Sequence, residues 1–427
     1  MHDLCSSKAE AEEEKFLKHI DASTYLTLGT RLVIPPYIGN SIRRLAISFD
    51  FERVSSIDGL GEVKGLRSFM FIQKSYYIPD ICFKENTIDF KMSQYLRIFV
   101  ADCSRFEGEK LPSEVGELIR LRYLSLRNSN VRELPKSVCS MPYLQTLDLR
   151  VSYKVVIRLP NVIWKMKRLK HLFLKDDMKV IGGEKLRLDG LQELEILEEI
   201  RSETCGIADI PKLVSLQSLR VRVSDVDSMS IVLSNKNSQL RDTRLCVNGC
   251  DLSSEKYMEV LNDGLMSPSL VTLQMCKCDM SGSFPSYRQG MCQNLVSLEL
   301  EHCKGMIVVM EFGSYPMLQE LTLKNVKIAE TLTFPSNLFP QLKHLRLYEL
   351  HDLKKWEMEE GATPKLTSFA IMGCPELKKV PDGLKLLTTL RRITVINMPR
   401  VFTETVNEEK YGSFVEKDIC MDDLYEP

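Results

Sequence analysis

One short pattern recurs along most of the chain: apolar, two variable residues, apolar, one variable residue, apolar. It starts at Ile42, Leu66, Leu96, Leu121, Leu144, Leu169, Leu194, Leu216, Leu240, Leu270, Leu295, Leu318, Leu342, Leu366 and Leu390. Twelve of the fourteen intervals are 22–25 residues and the other two are 30. Of the 45 apolar slots, 43 are filled, the exceptions being Glu199 and Thr243. An apolar background of 44% would fill about 20. The repeats therefore absorb a length that would otherwise suggest about three separate domains.

Side chains alternate along a strand, so the fourth and sixth positions of each unit point one way and the third, fifth and seventh the other. A lone strand of this size cannot bury its apolar face, and neighbouring units must stack to make a continuous core. This is the logic of a leucine-rich repeat. The expected fold is α/β: a leucine-rich-repeat horseshoe, or solenoid, with a curved parallel sheet of about fifteen short strands. The ninth position often carries a small side chain that hydrogen-bonds to the turn, and Asn248, Cys278, Cys303 and Cys374 are assigned to it. Proline breaks each return segment away from the strand at Leu111-Pro112, Leu134-Pro135, Leu159-Pro160, Ile210-Pro211, Phe284-Pro285 and Val380-Pro381. Short helical turns should follow. The expected organisation is an N-terminal cap over 1–41, with an acidic helix over about 8–20, the solenoid over 42–399, and a C-terminal cap with an acidic tail over 400–427.

Overall charge argues against several function classes. Lys and Arg total 57 against 58 Asp and Glu, which disfavours a generic nucleic-acid binder. The thirteen cysteines are an odd number and far too sparse for a disulfide scaffold. The first twenty residues are charged rather than secretory, no apolar run approaches the roughly 18 residues of a membrane span, and no Asn-x-Ser/Thr occurs. The expectation is a cytoplasmic protein with reduced thiols.

Three stretches carry a more specific resemblance. Met1-His2-Asp3-Leu4, with Glu14-Lys15-Phe16-Leu17, resembles the junction that follows the nucleotide-binding module of plant intracellular immune receptors. Residues 159–174, from Leu-Pro-Asn-Val-Ile-Trp to His-Leu-Phe-Leu, resemble one of their repeats. So do residues 353–400, with Trp356, Gly373-Cys374-Pro375-Glu376-Leu377, Pro381-Asp382-Gly383-Leu384 and Asn397-Met398-Pro399. Together they resemble the repeat region of the coiled-coil nucleotide-binding leucine-rich-repeat (NLR) disease-resistance proteins. The resemblance implies a protein-binding domain that helps recognise a pathogen effector or a guarded host protein, and that holds a nucleotide-binding switch closed in cis or in trans. The sequence contains no Gly-x-x-x-x-Gly-Lys-Ser/Thr loop to cradle phosphates, so it is expected to lack the switch and to bind no cofactor. His2 and Asp3 then read as a remnant of the junction.

Two sets of residues are candidates for partner binding. The second position of the early repeats is largely basic: with Arg44 beside it, the row Arg43, Arg67, Arg97, Arg122 and Lys170 should form a positive edge. Such an edge would favour docking of an acidic module. Further along, Glu299, Glu320, His344, Arg346, Tyr348 and Arg392 should share the concave face; Trp356 is a neighbouring aromatic whose place in the family-like motif favours a packing role over partner contact.

Other signals are weaker. Cys276, Cys278, Cys292, His302 and Cys303 do not have the C-x₂₋₄-C spacing of structural zinc sites, so no metal is expected. Gly59, Gly61 and Gly65 are wrongly spaced for a dinucleotide loop, and no hydrolase or metalloprotease motif occurs. No enzymatic activity, nucleic-acid ligand or small-molecule ligand is expected. The alternative reading is the substrate-recognition arm of a ubiquitin ligase. That would need an adaptor-binding helical box before the repeats, and residues 1–41 are short and charged for one.

Overall fold

The computed structural model describes residues 17–21, 31–33, 43–49, 56–58, 65–73, 82–83, 94–251, 253–281, 285, 287–408 and 416–420. They fall into two units, 1–218 and 219–427.

In the first unit, strands Leu17–Asp21, Arg44–Phe49, Ser68–Gln73, Ile98–Val100, Tyr123–Ser125, Thr146–Asp148, His171–Phe173 and Ile196–Arg201 pair in chain order, each parallel to the next. In the second, Asp242–Asn248, Leu270–Cys276, Ser297–Glu301, Glu320–Lys324, His344–Tyr348, Ser368–Met372, Arg392–Ile396 and Glu416–Cys420 do the same. With strand Ser218–Val223, every one of the fifteen repeats carries a strand. The fold is a leucine-rich-repeat solenoid of short parallel strands.

The core follows the repeat. Leu124 and Leu126, Leu147 and Leu149, Leu298 and Leu300, and Leu345 and Leu347 all occupy the fourth and sixth positions and are fully buried. Burying one such side chain contributes about 1.5–3 kcal/mol. Aromatic residues thicken the stack in places, as where Phe69 packs edge-on against Phe71 with centroids 4.9 Å apart.

The two polar exceptions have distinct causes. Glu199 adopts a left-handed φ of 62°, and Ile200, one residue later, is buried in the core. A one-residue bulge has moved the slot along the chain. In the repeat assigned to Leu240, the register shifts between Thr243 and Arg244, so that Leu245 pairs with Leu273 and Val247 with Met275. Leu245 and Val247 are the core residues, while Thr243 is buried and donates from its hydroxyl to Ser269 Oγ at 3.1 Å. The frame there is displaced by two residues. Cys250, not Asn248, accordingly takes the ninth position, since Asp251, Asp279 and Lys304 bridge in succession directly after Cys250, Cys278 and Cys303.

Pro112, Pro135 and Pro381 each stand directly before a 3-10 turn, Ser113–Glu117, Lys136–Ser140 and Asp382–Leu386. Pro211 lies inside the 3-10 turn Ile207–Lys212 instead. Two return segments hold longer α-helices, Val226–Leu233 and Glu255–Gly264. Asp225 caps the first by accepting from Ser228 N–H at 2.7 Å. The second occupies the extra length of a 30-residue interval.

At the ends, the ladder runs past the expected limits of the solenoid. Residues 17–20, expected to end an acidic helix, belong to strand Leu17–Asp21, which pairs with Arg44–Phe49; residues 8–16 lie outside the described set. After helix Arg400–Glu408, strand Glu416–Cys420 extends the other ladder within the expected tail. The remainder of that tail, and His2 and Asp3, also lie outside the described residues. Among the described residues, no helix is long and apolar enough to cross a membrane, and ten cysteines are free thiols.

Candidate protein-binding surfaces

The basic edge is set by backbone pairing. The carbonyl of each second-position residue accepts two N–H groups from the next repeat: Arg67 N and Ser68 N bond to Arg43 O at 2.6 and 3.1 Å, and Arg122 N and Tyr123 N bond to Arg97 O at 2.8 and 3.1 Å. The ladder therefore brings these side chains out at the repeat spacing. Arg67, Arg97 and Arg122 are exposed and make no ion pair among the described residues, whereas Arg43 and Arg44 are half-buried. Arg43 Nη1 donates to Gly65 O at 3.4 Å. Its guanidinium fills the space that a side chain at Gly65 would need.

Lys170 does not extend the positive row. Its Nζ lies 2.6 Å from Glu195 Oε1 on the next repeat, and this hydrogen-bonded carboxylate raises the lysine pKa. The pairing could be anticipated only by placing Glu195 at the same repeat position one coil later.

A polar network on the third, fifth and seventh positions of the first unit was not anticipated. Ser125, Asp148 and Phe173 stand in register on successive strands, and Glu198 continues the row. The Ser125 hydroxyl donates to Asp102 Oδ1, which also accepts Arg127 N–H at 3.1 Å. Burial, helped by the nearby Asp148 charge, pushes the Asp102 carboxyl up to about 6, against the opposing pull of these hydrogen bonds. Asp148 is buried and forms an ion pair with Arg150, Nη2 to Oδ2 at 2.5 Å. The Arg150 guanidinium also lies 4.4 Å from the Phe173 ring centroid and 3.6 Å from Glu198 Oε2. Arg150 thus carries no uncompensated charge. The clue in the sequence is an acid two residues before a cation on one strand face, in a repeat whose neighbours supply Asp102 and Glu198.

The residues of the second candidate set lie in three neighbouring rows of the second unit's sheet. Glu320, His344 and Arg392 lie in one cross-strand row, with Ser368 between the last two. Glu299, Thr322 and Arg346 lie in the next row, and Tyr348 follows Glu301 and Lys324 in a third. Arg346 Nη1 is 3.8 Å from Glu320 Oε2, and His344 Nδ1 is 2.7 Å from Ser368 Oγ. Burial, with Glu301 nearby, raises the pKa of Glu299, while the bonded Lys324 lowers that of Glu301. Beyond Tyr348 and Arg346 the face continues into Met372, Ile396 and Ala370, so it offers mixed charge beside a low apolar area.

Trp356 is not part of that face. It is 3% exposed, with Phe369 at 4.9 Å and Phe334 at 5.9 Å between ring centroids. It lies on the return strand Lys355–Met358, which packs inward. The cysteines near 276–303 serve packing as well: Cys278 Sγ donates to Val247 O at 3.5 Å and Cys303 Sγ to Met275 O at 3.2 Å. Among the described residues, no three His, Cys, Asp or Glu side chains are grouped to hold a metal ion.

Residues 43–413 match the family described as leucine-rich repeat region. The chain belongs to that family. It is homologous to the repeat portion of plant disease-resistance proteins of the NLR class. The disease resistance protein RPP8 of Arabidopsis thaliana is 29% identical over 95% of this chain and 43% of its own length. The RPP8-like protein 3 of the same plant is 28% identical over 96% of this chain and 44% of its own length. The leucine-rich-repeat chain thus spans less than half the length of these relatives. Among solved structures, the Leptospira interrogans leucine-rich-repeat protein LIC12759 superposes with a TM-score of 0.50 at 18% identity, covering 92% of this chain and 94% of that one. That likeness concerns the fold alone.

Proposed function

We propose that this chain is the partner-recognition region of a plant intracellular immune receptor, working in the cytoplasm by binding proteins rather than by catalysis. Homology across nearly the whole chain to the repeat portion of RPP8 carries the reading. In this scheme the basic edge, Arg43, Arg44, Arg67, Arg97 and Arg122, docks a nucleotide-binding switch module and helps keep it closed. The face bearing Glu299, Glu320, His344, Arg346, Tyr348 and Arg392 reads a pathogen effector or a guarded host protein. A stable interface needs about 800 Å² from each partner, which several adjacent repeats supply. Arg67, Arg97 and Arg122, exposed at repeat spacing and without an ion pair among the described residues, support the docking role, because opposite charge steers association and fixes register.

The test is a pull-down of the nucleotide-binding module of RPP8 by the wild-type chain and by a quadruple variant, Arg43→Glu, Arg67→Glu, Arg97→Glu and Arg122→Glu. The variant should retain far less of the module at about 0.15 M salt, where charges are screened beyond about 8 Å. Equal retention would remove the docking role.

A further inference from the structure

Beside the basic edge runs a second row, formed by the residue immediately before the leading leucine of each repeat. It reads Tyr95, Arg120, Tyr143 and Arg168 in four consecutive coils. All four are exposed, Tyr95 by 53% and Tyr143 by 45%. Each stands three residues before a paired strand position, Ile98, Tyr123, Thr146 or His171, so the ladder holds the row in line. The Arg120 guanidinium lies over the Tyr95 ring at 5.1 Å, and that of Arg168 over the Tyr143 ring at 5.2 Å. Arg97 and Arg122 flank the first stack. One coil further on, the corresponding positions are Glu193 and Glu195, which end the ridge.

The surface is therefore a short cationic ridge with two Tyr–Arg stacks, two coils apart. At about 4.8 Å per strand, the stacks repeat every 9.6 Å or so. An α-helix places side chains seven residues apart on one face at about 10.5 Å, within a small tilt of this spacing. An extended strand brings same-face residues round every 6.6–6.8 Å or so, and matches it poorly.

We propose that the ridge binds an acidic amphipathic helix of a partner protein, with carboxylates seven residues apart on the two arginine heads and apolar side chains between them against Tyr95 and Tyr143. Each guanidinium is already held on a ring, so little side-chain freedom is lost on binding. Tyrosine and arginine are also the residue types that dominate interface energetics. The inference rests on the reading of the basic edge as a docking face and specifies what docks there.

Three probes test it against the full chain by fluorescence anisotropy at about 0.15 M salt. One is a helical peptide of about 21 residues with glutamates seven apart and leucines between them. The second has the same composition with those residues respaced to five apart. The third is a single-stranded oligonucleotide of deoxythymidine. The seven-spaced peptide should bind at least about tenfold more tightly than the respaced one. The double variant Tyr95→Ala, Tyr143→Ala should lose that preference while keeping the wild-type circular dichroism spectrum and unfolding midpoint. Equal binding of both peptides, each weakened by the quadruple charge reversal, would overturn the helix and leave the docking edge standing. Tighter, tyrosine-dependent binding of the oligonucleotide would overturn the helix in favour of a polyanion. Absence of binding by either peptide, with no effect of charge reversal on the pull-down, would overturn both the inference and the docking reading.

Discussion

Replacing Asp102 with asparagine should stabilise the protein at neutral pH. The Asp102 carboxyl is raised from 3.8 to about 6, chiefly by burial and further by the Asp148 charge. A raised carboxylate binds its proton more tightly folded than unfolded, so it opposes folding once the pH exceeds the unfolded value. The cost grows as pH rises from about 4 to 6 and is complete above that window. At about pH 7.5, a difference of two units corresponds to about 3 kcal/mol. At about pH 5 roughly half of this remains, and at about pH 4 only about 0.5 kcal/mol.

Asparagine keeps an oxygen able to accept both the Ser125 hydroxyl and the Arg127 N–H, and it removes the charge. Attraction to Arg127 is lost as well, so the expected gain is about 1–3 kcal/mol at about pH 7.5. Urea unfolding followed by circular dichroism at about pH 7.5, 5 and 4 measures it, with the midpoint shift shrinking at each step. A loss of stability at about pH 7.5 would refute the reasoning, as would a shift independent of pH. Either result would mean that Asp102 is stabilised as an ion by its partners more than it is penalised by burial.

Truncating Trp356 to alanine should cost about 3–5 kcal/mol by leaving a cavity between Phe334 and Phe369, read as a lower urea midpoint; a change under about 1 kcal/mol would contradict its buried packing. Gly305→Ala should destabilise by about 1–3 kcal/mol, since φ is 96° and a Cβ would stand 2.6 Å from the Met280 carbonyl; an unchanged midpoint would count against that backbone geometry. Among the ten described cysteines, Cys246 should be alkylated first by iodoacetamide in the native protein: only it and Cys276 are half-exposed, the hydrogen bond to Cys246 pushes the Cys276 thiol up, and burial pushes Cys139 and Cys292 up to about 12. Peptide mapping that finds Cys139 labelled equally fast would be inconsistent with this arrangement.

The repeat spacing alone determined that the chain stacks short parallel strands, and it separated core positions from surface positions. Leu345 and Leu347 are buried while His344, Arg346 and Tyr348 share the other face, because alternation along a strand is a local property of the backbone. The grouping of Glu320, His344 and Arg392 was legible for the same reason: residues at one repeat position must align when strands pair in register. The resemblance to disease-resistance repeats likewise lay in the residues themselves.

Other features depended on contacts between coils. Bulges at Glu199 and between Thr243 and Arg244 shift the phase of the pattern, and local spacing cannot show where a ladder will absorb extra residues. Trp356 turns inward because a return strand carries it, and the aromatic residues that enclose it lie more than ten positions away in the chain. Lys170 lost its charge role to Glu195, and Asp102 acquired a raised pKa beside Asp148, through pairs separated by 25 residues or more. Charge and burial are properties of what surrounds a side chain. In a solenoid, those surroundings are supplied one coil away, so the sequence named the rows and the stacked coils decided which members of each row remain free to meet a partner.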